Sequence, residues 1–165
     1  ALELINNELE QNPSPSPSSY YVRGLIEGYM EKYESSARDY EKYIQSDPTN
    51  WAATNDLAWV LLKVNKPKEA LEAIDKVLPL WGNNPWLLNS KATAHVELGQ
   101  YERAYEAIQK ADGVVSRLTE ADWLRAYPGN DPLIAKDGVA ALQKAISDNM
   151  HTISLALQKQ SENVR

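Results

Sequence analysis

The chain repeats itself every 34 residues, and this period constrains its fold more than any other feature. Gly24, Ala58 and Ala92 make one column of small residues at that spacing, and Ser36, Ala70 and Ala104 make a second. Tyr33, Pro67 and Tyr101 recur at one position, and Tyr40, Ile74 and Ile108 recur at an apolar or aromatic one. Asn50 and Asn84 precede two of the units. A fixed period of this length signals stacked units, none of which can bury its apolar face alone.

Each unit reads as two helices joined by a short turn. In the second unit Asn50 is an N-cap, followed by Leu57, Ala58, Leu61 and Leu62. Asn65-Lys66-Pro67 stops that helix and places a proline in the first turn of the next. The partner helix carries Ala70, Leu71, Ile74, Val77 and Leu78 as a one-sided stripe, with Pro79 and Gly82 expected to end it. In the third unit Asn84-Pro85 opens one helix and Gly99 closes it as a left-handed cap. Tyr101 then opens a partner with Ala104, Ile108 and Ala111. The first unit runs from about Ser19 through Tyr33 to Asp47-Pro48. The two small columns face each other across each hairpin, where the backbones must come close.

The flanks depart from the period. Ala1, Ile5 and Leu9, followed by Asn12-Pro13, pattern like the second helix of a preceding unit. Residues 13–19 (PSPSPSS) read as an extended, polyproline-II-prone linker. Beyond Ala111, Thr119 with Asp122 predicts a capping box and a short helix through Trp123 and Ala126, with Trp123 and Tyr127 buried beneath the last helix. Tyr127-Pro128-Gly129-Asn130 is a turn, and Asp131-Pro132 caps that last helix. Its stripe, Ala135, Val139, Leu142, Ile146, Met150, Ile153 and Leu157, spans on the order of 40 Å. Such a helix covers the apolar face of the last repeat.

Composition excludes several function classes. The net charge is −6 and the basic residues are scattered, so a nucleic-acid partner is not expected. There is no cysteine, hence no disulfide, thiolate metal site or Cys nucleophile. His95 and His151 are the only histidines and lack ligand spacing, so neither metal nor cofactor is expected. No glycine-rich phosphate loop, calcium loop or nucleophile elbow occurs, and the chain reads as non-catalytic. No apolar run approaches a membrane span. A soluble segment is expected, and since it opens without Met, an anchoring segment or further repeats could lie outside it; the compartment is left open. Five Trp and nine Tyr with no Phe favour half-wet positions on grooves and seams.

The units resemble tetratricopeptide repeats. The resemblance is carried by Arg23-Gly24-Leu25 with Tyr33 through Pro48, and by Leu98-Gly99-Gln100-Tyr101 through Ala111. Asp39-Tyr40-Glu41-Lys42-Tyr43-Ile44 followed by Asp47-Pro48 is close to the family's second-helix ending. Glu27, where the family usually has an apolar residue, and Leu80-Trp81-Gly82, where it has Asp-Pro, are departures. The resemblance implies an all-α, right-handed α-α superhelical solenoid of about three units, over residues 20–50, 51–84 and 85–118. A half unit over 1–12 and the 13–19 linker precede them, and a helical cap over 119–165 follows.

It further implies a non-catalytic protein-interaction scaffold, in which the first helix of each repeat lines a concave groove for a partner peptide or helix. The groove residues would be Tyr21, Leu25, Asn55, Trp59, Lys63, Trp86, Asn89 and Thr93, flanked by Tyr29, Asp56, Ser90 and Glu97. The family's cochaperone members grip an acidic C-terminus with Lys, Arg and Asn. Tyr21, Leu25, Asp56, Trp86 and Ser90 stand at those places here, so an acidic tail is not the expected ligand. The alternative is structural: a homo-oligomer assembled by end-to-end stacking or through the long last helix.

Overall fold

The computed structural model describes residues 1–127 and 131–163, and among them the regular structure is helical. The chain forms two compact units, Ala1–Trp81 and Gly82–Arg165. The first holds α1 (Leu2–Gln11), α2 (Pro17–Tyr29), α3 (Tyr33–Ser46), α4 (Trp51–Lys63) and α5 (Pro67–Trp81). The second holds α6 (Pro85–Glu97), α7 (Tyr101–Val115), α8 (Glu120–Ala126), a 3-10 turn (Pro132–Ile134) and α9 (Ala135–Asn163).

The period is written into the helix ends. Ser16, Asn50 and Asn84 cap α2, α4 and α6, their side chains accepting from the backbone amides of Ser18 (3.3 Å), Ala53 (3.0 Å) and Leu87 (3.1 Å). Ser16 stands one period before Asn50, so the first repeat opens at Pro17 rather than near Ser19, and the 13–19 linker is shorter than its composition implies. Pro17 suits the first helical position because the amide it lacks has no partner there. At the other end, Glu31 (φ 59°), Asn65 (57°) and Gly99 (68°) take the left-handed conformation, again one period apart. Behind each, a backbone amide bonds back across the turn: Lys32 to Glu27, Lys66 to Leu61 and Gln100 to His95, all at 2.9 Å. This is the Schellman closure. Gly and Asn adopt it readily, whereas Glu31 does so against its own Cβ.

Close approach then brings the paired helices together. The Ser36 hydroxyl donates to the Gly24 carbonyl at 2.7 Å. A Cβ on Gly24 would stand 3.1 Å from the Tyr40 ring and 3.4 Å from the Ser36 carbonyl oxygen. Ala58, Ala70, Ala92 and Ala104 are fully buried in the later hairpins, as are Ile74 and Ile108, and Tyr40 nearly so. α1 packs on α2, with Arg23 Nη1 donating to Asn6 Oδ1 at 3.1 Å, and buries no residue fully.

α5 does not stop at Pro79 but continues to Trp81, where Gly82 (φ 57°) ends it. Proline near a C-terminus forfeits one ladder bond. Trp81 holds the extra residues in place, its indole N–H donating to the Thr49 carbonyl at 2.8 Å and its ring edge-on to Trp51 at 6.4 Å.

In the second unit Thr119 and Asp122 form a reciprocal capping box, and Trp123 and Ala126 of α8 are buried. The expected turn at Tyr127–Asn130 lies, from Pro128 onward, outside the described residues. A 3-10 turn, with Leu133 N–H donating to Asp131 Oδ1 at 2.9 Å, leads into α9. The 29 residues of α9 reach about 43 Å. It packs on α6, α7 and α8 and buries Ala135, Val139, Ile146 and Ile153. Gly138 is where α9 meets Trp123: a Cβ there would overlap the indole.

Two substitutions at single residues test this packing in opposite directions. Gly138→Ala, which must displace a buried indole, is expected to destabilise the second unit by about 1–3 kcal/mol despite its better helix propensity. Glu31→Gly is expected to stabilise the first unit by about 1 kcal/mol by relieving the left-handed backbone. Urea unfolding of each variant against wild type checks both, and a stabilising Gly138→Ala would show that Trp123 is not locked against α9.

Candidate functional site

Helical spacing brings the first-unit candidates together. Tyr21, Leu25 and Tyr29 are four apart and share a face of α2, while Asp56, Trp59 and Lys63 follow at steps of three and four on α4. Between these helices and α3 lies a cavity of about 210 Å³, lined by Leu25, Gly28, Tyr29, Tyr40, Asp56 and Trp59. Its rim is unusually apolar for an open surface, with Tyr29 89% and Trp59 45% exposed. Gly28 lies against the indole: a Cβ there would meet Trp59 Cζ3 at 3.6 Å and Ser36 Oγ at 3.4 Å, ordinary contact distances. Tyr33 braces the same indole edge-on at 5.6 Å, and Lys63 Nζ rests 5.5 Å from its centroid.

Asp56 is the polar element of this cavity. The Tyr21 hydroxyl donates to its Oδ2 at 2.8 Å, and the Tyr21 ring packs against Tyr40 (5.6 Å) and Tyr43 (5.0 Å). Burial pushes the Asp56 carboxyl up to about 6, against the opposing pull of the Tyr21 hydrogen bond. Tyr40 is raised as well, by burial first and by the Asp56 charge second. Asp39, the other deep aspartate of this unit, is treated differently: Arg23 grips both its oxygens, Nε to Oδ2 at 2.5 Å and Nη2 to Oδ1 at 2.8 Å. Glu27, the departure noted in the sequence, is buried with Oε2 unpartnered; burial and then the nearby Asp39 charge raise its carboxyl.

The remaining candidates separate from this cavity. Asn55 is half-buried on α4 and does not line it. Trp86 is a correction to the groove expectation: it is 9% exposed, edge-on to Tyr127 at 6.1 Å, and Tyr127 lies 5.1 Å from Trp123. An apolar ring at the start of α6 packs on Tyr127, just past the end of α8, so it serves the core of the second unit. Asn89 is half-buried, its Oδ1 accepting from Asn149 Nδ2 of α9 at 2.9 Å, and Thr93 Oγ1 donates to the Asn89 carbonyl at 3.1 Å. His95 is buried with Nδ1 2.7 Å from Gln100 Oε1. A second cavity in the first unit, about 730 Å³ between α3, α4 and α5, is floored by Ile44, Leu57, Leu61, Val77 and Leu80, and none of the eight groove candidates lines it. Among the described residues no cluster of three or more His, Asp or Glu could hold a metal ion, and no helix is long and apolar enough to cross a membrane.

Sequence reasoning had placed Tyr40 only in the hairpin column and passed over Gly28. A glycine inside an apolar helix is a signal of close approach, and here it marks the cavity wall.

The raised Asp56 carboxyl has a pH signature. The folded chain holds this proton between about pH 4 and pH 6, where the unfolded chain has released it, so stability falls as pH rises through that window. Ionised Asp56 then costs the folded state on the order of 3 kcal/mol at pH 7. Asp56→Asn is expected to raise the urea midpoint at pH 7.5 and to lose that advantage at pH 4. An equal gain at both pH values would locate the cost in packing instead.

Comparison with known proteins gives a consistent lineage. The tetratricopeptide repeat profile matches residues 21–85, and a second tetratricopeptide repeat profile matches residues 87–114. A small glutamine-rich tetratricopeptide repeat-containing protein 2 from Saccharomyces cerevisiae is 32% identical over 71 residues, which are 42% of this chain and 20% of the yeast protein. The chain thus spans about a fifth of the length of that relative. Among solved structures, MamA from Desulfovibrio magneticus RS-1, residues 41 to its end, aligns over 96% of this chain and 85% of its own at 18% identity, with a TM-score of 0.63. The Arabidopsis OM64 TPR domain aligns over 78% of this chain and 94% of its own at 18% identity, with a TM-score of 0.55. With the 34-residue hairpins, their repeated caps and these matches, the chain belongs to the tetratricopeptide repeat family.

Proposed function

We propose that the chain is a non-catalytic protein-interaction scaffold that binds a partner peptide on the α2–α4 face of its first unit. The observation that carries this reading is the cavity beside Tyr29 and Trp59, two large rings left open to solvent next to a concavity of about 210 Å³. Exposed aromatic surface costs free energy in a free protein and is the usual anchor of an interface. Trp59 is also held in place, by Tyr33 and Lys63, so little side-chain entropy is lost when a partner covers it. Family membership supports the scaffold role. The competing self-assembly reading through the last helix draws less support, because α9 buries its apolar stripe on its own unit.

The test is a random dodecapeptide library displayed on phage and selected on the intact chain, with selected peptides remade and titrated by calorimetry. Trp59→Ala is expected to weaken the selected peptides at least about 30-fold, the loss of a hot-spot residue, with Tyr29→Ala weakening them less. Leu80→Ala, in the 730 Å³ cavity, should leave them unchanged. Peptides indifferent to Trp59→Ala would remove the site from this face.

A further inference from the structure

We infer that the α2–α4 cavity takes a basic side chain, lysine or arginine, from the partner peptide, with Asp56 as its counter-ion and Tyr29, Tyr40 and Trp59 as aromatic walls. This rests on the inner-face reading above and names the chemistry of its anchor.

The comparison of two carboxylates in one unit is the basis. Asp39 is 3% exposed and Arg23 satisfies it with two charge-assisted bonds. Asp56 sits at a cavity instead of inside a hairpin, and among the described residues its partner is a neutral phenol. A hydroxyl supplies one hydrogen bond and no compensating charge, so the carboxylate is desolvated without being neutralised. Among the described residues no cation is paired with it. Lys63, the nearest candidate on α4, places its ammonium over the Trp59 ring.

The walls suit the same ligand. Tyr and Trp faces attract a cation and also pack the aliphatic stem of lysine or arginine, so one side chain can satisfy both halves of the cavity. Leu25 supplies further apolar surface for that stem. Glu27, another buried carboxylate short of a partner, does not line the cavity and offers no rival entrance. The net charge of −6 adds long-range attraction for a basic partner. An acidic or purely apolar anchor would leave Asp56 buried against repulsion or against nothing.

The same phage selection carries the test, read now by sequence and by a double-mutant cycle. Inner-face peptides are expected to share a Lys or Arg at one position. Replacing that residue by Met should weaken binding to wild type about 10- to 100-fold and weaken binding to Asp56→Asn at most about 3-fold. Tyr21 can still donate to the asparagine oxygen, so this variant keeps the local geometry, and circular dichroism confirms its fold. Peptides that depend on Trp59 but carry no shared basic residue, or whose basic residue is equally important to Asp56→Asn, would overturn this inference and leave the binding face standing. Peptides insensitive to Trp59→Ala, or no peptides at all, would overturn both.

Discussion

The structure depends on how closely two helix backbones can approach within a hairpin. Where Gly24 meets Ser36, a hydroxyl bonds directly to a neighbouring helix carbonyl and an aromatic ring lies within reach of the missing Cβ. In the later hairpins the same positions are fully buried alanines. A larger side chain at any of them would splay the pair and unseat Tyr40, Ile74 or Ile108 from the core. Everything else, including the position of α4 relative to α2 in the first unit, inherits its geometry from these contacts.

That geometry makes the candidate site. Pairing α2 with α3 buries Tyr40, and α4 then lays Asp56 and Trp59 beside it. Gly28 forms part of the cavity wall beside the indole. Asp56 is a carboxylate kept in an aromatic setting where the Tyr21 hydroxyl answers it, at a cost in stability that packing elsewhere must offset. Sites of this kind are where local chemistry and fold stability part company.

The two units spend similar materials differently. In the first, Trp59 and Tyr29 stand open to solvent. In the second, Trp86, Trp123 and Tyr127 are gathered into a packed cluster, and Asn89 is engaged by the last helix. The long helix packs on α6, α7 and α8 of that second unit.

The 34-residue period by itself determined the helical hairpins, their pairing and most of their caps, because each depends on residues near in sequence: Asn50, Asn84, Gly99 and the small columns. Followed one step further, it also contained the N-cap of α2 at Ser16 and the left-handed turn at Glu31, a residue type that does not advertise its role. What only the tertiary structure decided was which aromatic rings face water. Trp59 near the end of α4 and Trp86 at the start of α6 both lie on first helices, yet one is 45% exposed and the other 9%. The difference lies in what packs on them: Trp86 meets Tyr127, some forty residues away in sequence, whereas Trp59 is flanked by Tyr33 and Lys63 at the edge of an open cavity. Long-range packing of this kind leaves no period in the chain, and it also decides that Asp39 is met by a guanidinium and Asp56 by a phenol.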